Sequence, residues 1–147
     1  MKGVILAGGT GSRLSPLTKV TNKCLLPVGQ EPMIYRMIDL FISSGITDIM
    51  LITGPEHMGQ VISLLGSGAE KKCSMTYRVQ DSANGIAAAL KLCKDFCGKE
   101  KFVVILGDNI FTDHEEISKS IKEFDLKKED YRLFSKKVPD PQRFGVP

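Results

Sequence analysis

Residues 2–13 read KGVILAGGTGSR, an apolar run followed by closely spaced glycines. Its first six residues form a short apolar run that stops at glycines, as a strand buried on both faces does. Gly8, Gly9 and Gly11 then let the backbone turn sharply and leave its N–H groups free to face an anion, with Arg13 two residues further on. The stretch therefore predicts a buried strand followed by an anion-binding turn.

Beyond this stretch, short apolar runs alternate with segments of helical periodicity. The predicted strands are Asp48–Thr53, Met75–Val79, Phe102–Leu106 and Tyr131–Val138. The predicted helices run from Pro32 towards Gly45, from Glu56 to about Leu65, and over Gly85–Phe96 and Asp113–Phe124. This alternation predicts an α/β fold with a doubly wound, mostly parallel sheet. In such sheets ligands bind beyond the carboxyl ends of the strands.

Composition excludes several classes of protein. Hydrophobic residues make up 42% and charged residues 25% of the 147 residues, which excludes a disordered or collagen-like chain. The longest stretch without Asp, Glu, Lys or Arg is His57–Ala69, with 13 residues, whereas about 20 are needed to span a bilayer. Three glycines and Arg13 interrupt any signal-peptide core in residues 1–20. We therefore expect a cytoplasmic protein that does not bind a membrane.

The positive charge is concentrated beside the glycines. Residues 1–30 contain Lys2, Arg13, Lys19 and Lys23 and no acidic residue, whereas the other 117 residues carry 16 basic and 17 acidic side chains. A basic, glycine-rich segment suits a compact anion better than a nucleic-acid backbone, which favours a wider basic stripe. We therefore expect no nucleic-acid partner.

The glycine spacing distinguishes between phosphate-binding motifs. Gly8, Gly9 and Gly11 do not match the G-x-G-x-x-G pattern of dinucleotide-binding enzymes, and no Gly-Lys-Ser/Thr follows them as in a P-loop. Arg13 offers a guanidinium fork for phosphate oxygens, and Lys23 offers a point charge. The segment favours a phosphate-binding turn of another kind, and the alternative is a tight turn without a ligand.

A second candidate site follows the predicted strand Phe102–Leu106, where Gly107, Asp108 and Asn109 end the apolar run. Asp108 is either a turn residue or a ligand of a hard cation. Its place directly after a continuous apolar strand favours the metal ligand, because that is the edge at which the glycine turn also lies. The two segments together predict one site at one edge of the sheet.

These motifs belong to a longer pattern. Its segments are LAGGTGSRL at 6–14, Pro16-Leu17-Thr18, Lys23 with Leu25-Leu26-Pro27-Val28, Pro32-Met33, Gln80 with Gly85, Leu106-Gly107-Asp108-Asn109, Asp140-Pro141 and Arg143-Phe144-Gly145-Val146. In order and spacing the pattern resembles the sugar-1-phosphate nucleotidyltransferases, and most closely the glucose-1-phosphate thymidylyltransferases. The resemblance implies a Rossmann-like nucleotidyltransferase fold. Family members are longer, so residues 1–147 are expected to be the nucleotide-binding domain, C-terminally incomplete and truncated before the rest of the sugar-binding part.

The resemblance also implies a reaction. The phosphate of a sugar 1-phosphate attacks the α-phosphorus of a nucleoside triphosphate, and pyrophosphate leaves. The expected substrates are dTTP and glucose 1-phosphate, with UTP and CTP left open, and the expected cofactor is Mg²⁺. No enzyme nucleophile is required, so catalysis depends on positioning and charge stabilisation. A homo-oligomer is left open.

Roles in triphosphate binding follow from the same resemblance. The backbone contacts to the triphosphate would come from Gly8, Gly9, Gly11 and Ser12. Arg13 would neutralise charge on the phosphates as pyrophosphate departs, and Lys23 would hold a phosphate oxygen. Both basic residues are therefore expected to be catalytic as well as nucleotide-binding.

Roles in base, sugar and metal binding follow in the same way. Asp108 would ligate Mg²⁺, contribute to catalysis and lie beside the sugar. Gln80 would read the edge of a pyrimidine, because its side chain both donates and accepts hydrogen bonds. Gly85 would open a helix where a side chain would block the base or ribose. Gly145 would approach the sugar hydroxyls through its backbone.

Departures from the family pattern keep an alternative function open. Cys24 stands where thymidylyltransferases often carry Gln, and Ala88 replaces a residue that is often polar. The sugar-phosphate lysine, a sugar-binding acid and a second metal-binding aspartate lie beyond residue 147 in the family. The alternative is a catalytically inactive nucleotide-binding or regulatory module of the same fold. The four cysteines are expected to be buried or free thiols rather than zinc ligands or disulfides.

Overall fold

A parallel sheet forms the centre of the computed structural model, which describes residues 1–9 and 11–143. The strands in chain order are β1 Lys2–Leu6, β2 Pro27–Val28, β3 Glu31–Pro32, β4 Asp48–Thr53, β5 Ser74–Val79 and β6 Phe102–Leu106. The central sheet has the order β5-β4-β1-β6, and all its pairs are parallel. Strands β2 and β3 form a small antiparallel pair outside it.

Four helices lie between the strands of the described chain, and a fifth follows β6. They are α1 Met33–Ser43, α2 Pro55–Leu65, α3 Ile86–Lys91, α4 Lys94–Cys97 and α5 His114–Leu126. Pro55 opens α2, where its missing N–H is not needed, and the Asp113 carboxylate caps α5 by accepting from the Glu116 N–H at 3.0 Å. Among the described residues, no helix is both long and apolar enough to cross a membrane.

Helices cover both faces of the sheet, which explains why its strands are apolar at consecutive positions. On one face, Ile5 and Leu51 pack with Phe41 of α1 and Ile121 of α5. On the other face, side chains of the same strands pack against α3 and α4. That second cluster consists of Val4, Met50, Ile52, Ala89, Cys93 and Cys97. The predicted doubly wound, mostly parallel sheet is therefore confirmed.

The strand order places a switch point between β1 and β6. After β1 the chain adds β4 and then β5 on one side, and it returns to add β6 on the other side. The carboxyl ends of β1 and β6 therefore lie side by side at the point where the strand order reverses, and in open α/β sheets ligands bind in the crevice at such a point. Both sequence-predicted motifs, the glycine turn and Asp108, begin at this crevice.

Two expectations about individual elements are wrong. The predicted helix Gly85–Phe96 is broken at Leu92 and Cys93 into α3 and α4. The predicted strand Tyr131–Val138 is not a strand, because the chain there is tied to α5 instead of the sheet. The guanidinium of Arg132 donates to the Ser120 carbonyl at 2.6 Å and to the Ser120 Oγ at 2.8 Å. Within residues 1–9 and 11–143, β6 pairs with β1 and with no part of this segment. A cavity of about 410 Å³ is lined by residues of both β6 and this segment.

Candidate functional site

A cleft of about 280 Å³ opens at the carboxyl edge of the central sheet. We call it the carboxyl-edge cleft. It is lined by Leu6, Ala7, Gly8, Gly9, Lys23, Cys24, Gln80, Ala83, Gly85, Ile86, Ala89, Leu106, Gly107 and Asp108. Six of these residues were predicted as site residues from the sequence: Gly8, Gly9, Lys23, Gln80, Gly85 and Asp108. The structure thus brings together residues as far apart in the sequence as Gly8 and Asp108 at the switch point.

Backbone hydrogen bonds fix the floor of the cleft. The Ala7 N–H donates to the Ile52 carbonyl at 2.7 Å, and the Gly107 N–H donates to the Leu6 carbonyl at 2.7 Å. These bonds carry the sheet one residue beyond β1 and β6. A Cβ at Gly107 would lie 2.5 Å from the Cys24 Sγ and 3.0 Å from the Leu6 carbonyl oxygen, so the close approach of the two strand ends requires glycine at this position.

Gly11, Ser12 and Arg13 do not line the cleft. Gly11 adopts φ +61°, which favours glycine, and its carbonyl accepts from the Thr18 Oγ1 at 2.8 Å. Ser12 and Arg13 follow in an exposed 3-10 helix, Ser12–Leu14. The structure therefore shows a local contact for Gly11 but does not place Arg13 against the cleft wall.

An ion pair lies at the mouth of the cleft. The Lys23 Nζ lies 2.9 Å from the Asp108 Oδ2, and the two side chains are 31% and 46% exposed. This pair joins the segment after β1 to the loop after β6. A partly exposed lysine and carboxylate remain accessible to a charged ligand, which can exchange partners with them at small cost.

Cys24 forms part of the apolar floor. Burial, and to a lesser degree the Asp108 carboxylate, raise the pKa of the Cys24 thiol to about 12. The thiol is therefore protonated at neutral pH and acts as a small apolar group. All four cysteines are free thiols, as expected from the sequence.

The wall of the cleft is suited to a flat ring. The backbone N–H of Gln80 donates to the Thr53 carbonyl at 2.9 Å, which places Gln80 directly after β5. Its Oε1 would lie 3.0 Å from a Cβ at Gly8, so a side chain at Gly8 would press against the amide of Gln80. Gly85, with φ +86°, precedes α3, as predicted. The neighbouring lining residues Ala83, Ile86 and Ala89 add an apolar surface.

Two polar residues at the cleft were missed in the sequence. Asn22 is 1% exposed and Thr53 is fully buried, and both bond to the carbonyl of Ala7. The sequence contains only a weak signal that these two residues belong to the site. Asn22 precedes a short 3-10 helix, Lys23–Leu25, as an N-cap does, but the sequence gives no indication that Thr53 lies beside it.

The described residues of the cleft offer Mg²⁺ one carboxylate ligand, that of Asp108. Within the described residues, no group of three or more His, Cys, Asp and Glu side chains could hold a metal ion. Asp108 is instead a single, partly exposed carboxylate beside a cleft. Mg²⁺ is often bound by one or two carboxylates together with substrate phosphates and several waters. Gly145, expected at the sugar, lies outside the described residues.

Comparison with known sequences agrees with this geometry. A family model described as Nucleotidyl transferase matches residues 2–146. Glucose-1-phosphate thymidylyltransferase of Neisseria meningitidis is 40% identical over 146 residues, which are 99% of this chain and 50% of that protein. Low-salt glycan biosynthesis nucleotidyltransferase Agl11 of Haloferax volcanii is 37% identical, over 99% of this chain and 40% of that protein. The chain spans about half the length of these relatives.

Solved structures show the same relationship. A crystal structure of a protein from Bacillus anthracis, provisionally named glucose-1-phosphate thymidylyltransferase, in complex with sucrose, is 60% identical with a TM-score of 0.93. The match covers 99% of this chain and 58% of that one. A UDP-glucose pyrophosphorylase complexed with UDP-glucose is 25% identical with a TM-score of 0.71, over 85% of this chain and 51% of that one. The fold is therefore the Rossmann-like nucleotidyltransferase fold, and the chain belongs to the nucleotidyl transferase family.

Proposed function

We propose that this chain carries the nucleotide-binding part of an enzyme that joins a nucleoside triphosphate to a sugar 1-phosphate. The products are a nucleoside-diphosphate sugar and pyrophosphate. The relatives named glucose-1-phosphate thymidylyltransferase support dTTP and glucose 1-phosphate as the preferred substrates. UTP is the next candidate, because a UDP-glucose pyrophosphorylase shares the fold, and CTP follows.

The observation that carries this proposal is that a lysine and an aspartate form an ion pair beside the glycines that follow β1. Gly8 and Gly9 line the same cleft as the Lys23–Asp108 pair, at the switch point of the sheet. Glycines there allow a triphosphate to approach the backbone closely. Lys23 supplies positive charge for a phosphate oxygen, and Asp108 supplies an oxygen ligand for a cation.

The reaction proposed for this site is a displacement at phosphorus. An oxygen of the sugar 1-phosphate attacks the α-phosphorus, a new P–O bond forms, and the bond to the bridging β-phosphate oxygen breaks. Pyrophosphate departs with the electron pair of that bond. Lys23 and Arg13 neutralise charge on the phosphates during this displacement, whereas Gln80 and the apolar wall orient the base.

The proposed cofactor is Mg²⁺, with Asp108 as its ligand from the described part of the chain. When bound, the ion would neutralise phosphate charge and act as a Lewis acid on phosphoryl oxygens. Asp108 itself accepts from Lys23 at 2.9 Å, so this carboxylate is already oriented towards the cleft mouth before a cation binds.

A catalytically inactive binding module remains the second candidate. One observation favours it: Arg13, the residue expected to neutralise charge on the phosphates, lies outside the cleft lining. Such a module would bind a triphosphate through the same glycines and Lys23 but would release no pyrophosphate.

Pyrophosphate release, measured together with calorimetric triphosphate binding, separates these functions. The chain is mixed with Mg²⁺, glucose 1-phosphate and dTTP, UTP or CTP in turn. Release above the rate without protein supports the enzyme, and the triphosphate with the highest kcat/KM identifies the base. Saturable binding without release supports the module. Absence of both would refute the proposed function.

A cytoplasmic location is part of the proposal. All four cysteines are free thiols in the structure, and three of them are buried. Unpaired cysteines suit a reducing compartment. The test is the oxidation state of the cysteines in protein isolated from its native cells under acid-quenched conditions, with four reduced thiols as the expected result.

A further inference from the structure

We infer that Asn22 and Thr53 are positioning residues that hold Lys23 at the carboxyl-edge cleft. The inference rests on the proposed function, because Lys23 is taken to bind a phosphate oxygen. Neither residue lines the cleft, so each would act through the neighbouring Lys23 rather than by touching the nucleotide.

Asn22 uses every part of its amide group within the protein. Its Nδ2 donates to the Ala7 carbonyl at 2.8 Å and to the Thr53 Oγ1 at 3.2 Å. Its Oδ1 accepts from the Cys24 N–H at 2.8 Å. At 1% exposure no solvent can replace these partners, so losing them would leave buried polar groups unpaired.

Thr53 closes the network at the last residue of β4. Its Oγ1 donates to the Ala7 carbonyl at 3.0 Å while accepting from Asn22. Its carbonyl accepts from the Gln80 N–H at 2.9 Å. The network therefore ties the carboxyl ends of β1, β4 and β5 to the segment that carries Lys23.

The position of Lys23 depends on this network more than on its own contacts. Its side chain is 31% exposed and its ammonium group has the partly exposed Asp108 as partner, a pair that contributes little by itself. Asn22 and Cys24, on either side of Lys23, are both buried. They are joined to each other because the Cys24 N–H donates to the Asn22 Oδ1. A shift of about 1 Å in such a group is enough to lower catalytic efficiency strongly.

Three variants test the inference by calorimetric binding of dTTP with Mg²⁺, at a temperature where all are folded. Thr53→Val removes the hydroxyl and keeps the shape, and we expect it to weaken binding about threefold or more. Asn22→Ala should weaken binding about tenfold. Thr53→Ser retains the hydroxyl, and its affinity should stay within about twofold of the wild type.

A double-mutant comparison separates positioning from general stability. If Asn22 acts through Lys23, then adding Asn22→Ala to Lys23→Ala should change dTTP affinity by less than about twofold. A loss as large as in the wild-type background would overturn the inference. Ser44→Ala is the matched control: Ser44 is 4% exposed and donates to the Leu40 carbonyl at 2.7 Å after α1, away from the cleft. It should lower the urea midpoint without changing dTTP affinity.

A readout without nucleotide keeps the inference distinct from the proposed function. NMR of the Lys23 ammonium group in the free protein reports its hydrogen bond to Asp108. Asn22→Ala and Thr53→Val should abolish or shift this signal, whereas Thr53→Ser and Ser44→Ala should leave it in place. An unchanged signal in both disruptive variants would refute the inference. A wild-type chain that binds no triphosphate would refute the proposed function alone.

Discussion

Lys23 and Asp108 are 85 positions apart in the sequence, yet the Lys23 Nζ donates to the Asp108 Oδ2 at 2.9 Å. The sheet order explains the contact. Strand β6 returns to pair with β1, so the loop after β6 meets the segment that follows the glycine turn. A cation and a carboxylate held together at a switch point can separate to bind a phosphate and a metal ion, respectively.

Asp108→Asn tests the metal-binding role. Asparagine keeps the size and a carbonyl oxygen but removes the charge that a hard cation prefers. We expect Mg²⁺ to strengthen dTTP binding by the wild-type chain and to have little effect on the variant, with pyrophosphate release abolished. Calorimetry with Mg²⁺ or with EDTA measures the difference. An equal Mg²⁺ effect in both proteins would contradict the role, and an unchanged circular-dichroism spectrum is the control for folding.

Arg13→Ala tests whether the exposed 3-10 helix takes part in the reaction. Because Arg13 is exposed in the structure, its removal should leave the urea midpoint unchanged. Pyrophosphate release should slow by about 10²–10⁴-fold, the range for an arginine or another donor that stabilises phosphoryl charge. If the wild-type chain releases none, dTTP affinity is the readout and should fall. Unaltered release and affinity would show that Arg13 has no role at the cleft.

Gly107→Ala tests the close contact between the strand ends. The new Cβ would meet the Cys24 Sγ at 2.5 Å and the Leu6 carbonyl oxygen at 3.0 Å, so we expect a loss of about 1–3 kcal/mol in the free energy of unfolding. Gly59→Ala in α2 is the control, since nothing lies within 4 Å of its Cβ position. It should be neutral or stabilise by about 0.5–1 kcal/mol. Equal urea midpoints for the two variants would contradict the contact.

Thiol labelling tests the apolar floor of the cleft. Burial raises the pKa of Cys24 to about 12 and that of Cys93 to about 11. At pH 8 both are almost fully protonated and should resist iodoacetamide in the folded protein, whereas the less buried Cys73 should react first. Mass spectrometry of peptides measures each rate, and all four cysteines should react in urea. Labelling of Cys24 as fast as Cys73 would contradict its burial.

The same pKa shifts predict how stability changes with pH. In the unfolded chain these thiols lose their protons near pH 8.5, whereas the folded protein keeps them protonated to about pH 11 or 12. Above about pH 8.5 the folded state therefore binds more protons than the unfolded state, and the free energy of unfolding falls as pH rises. Urea unfolding at pH 8 and pH 10 should show this decrease, and Cys24→Ala should reduce it. An identical decrease in the variant would contradict the assignment to Cys24.

Much of the fold was predictable because its strands are buried on both faces. The apolar runs Asp48–Thr53 and Phe102–Leu106 became β4 and β6 with the predicted bounds. The segment Tyr131–Val138 mixes apolar and charged residues and does not join the sheet, because Arg132 anchors it to α5. Pattern alone does not show which segment obtains a hydrogen-bonded neighbour.

The candidate site was predictable where function depends on local chemistry. Glycines after a strand and an aspartate after another strand are visible as residue types in a pattern. The network of Asn22 and Thr53 depends on a contact between residues 31 positions apart, so it appears only in the folded chain. Whether a predicted residue such as Arg13 lines the cleft also depends on backbone geometry that the sequence does not specify.

In the proposed function, the carboxyl-edge cleft binds a nucleoside triphosphate between the glycine turn and Asp108. An NMR titration of the labelled chain with dTTP and Mg²⁺ tests it most directly. We expect saturable shifts of the backbone amides of Gly8, Gly9 and Gly107, together with loss of the hydrogen bond between Lys23 and Asp108. Saturable shifts confined to other surfaces, or none at all, would contradict it.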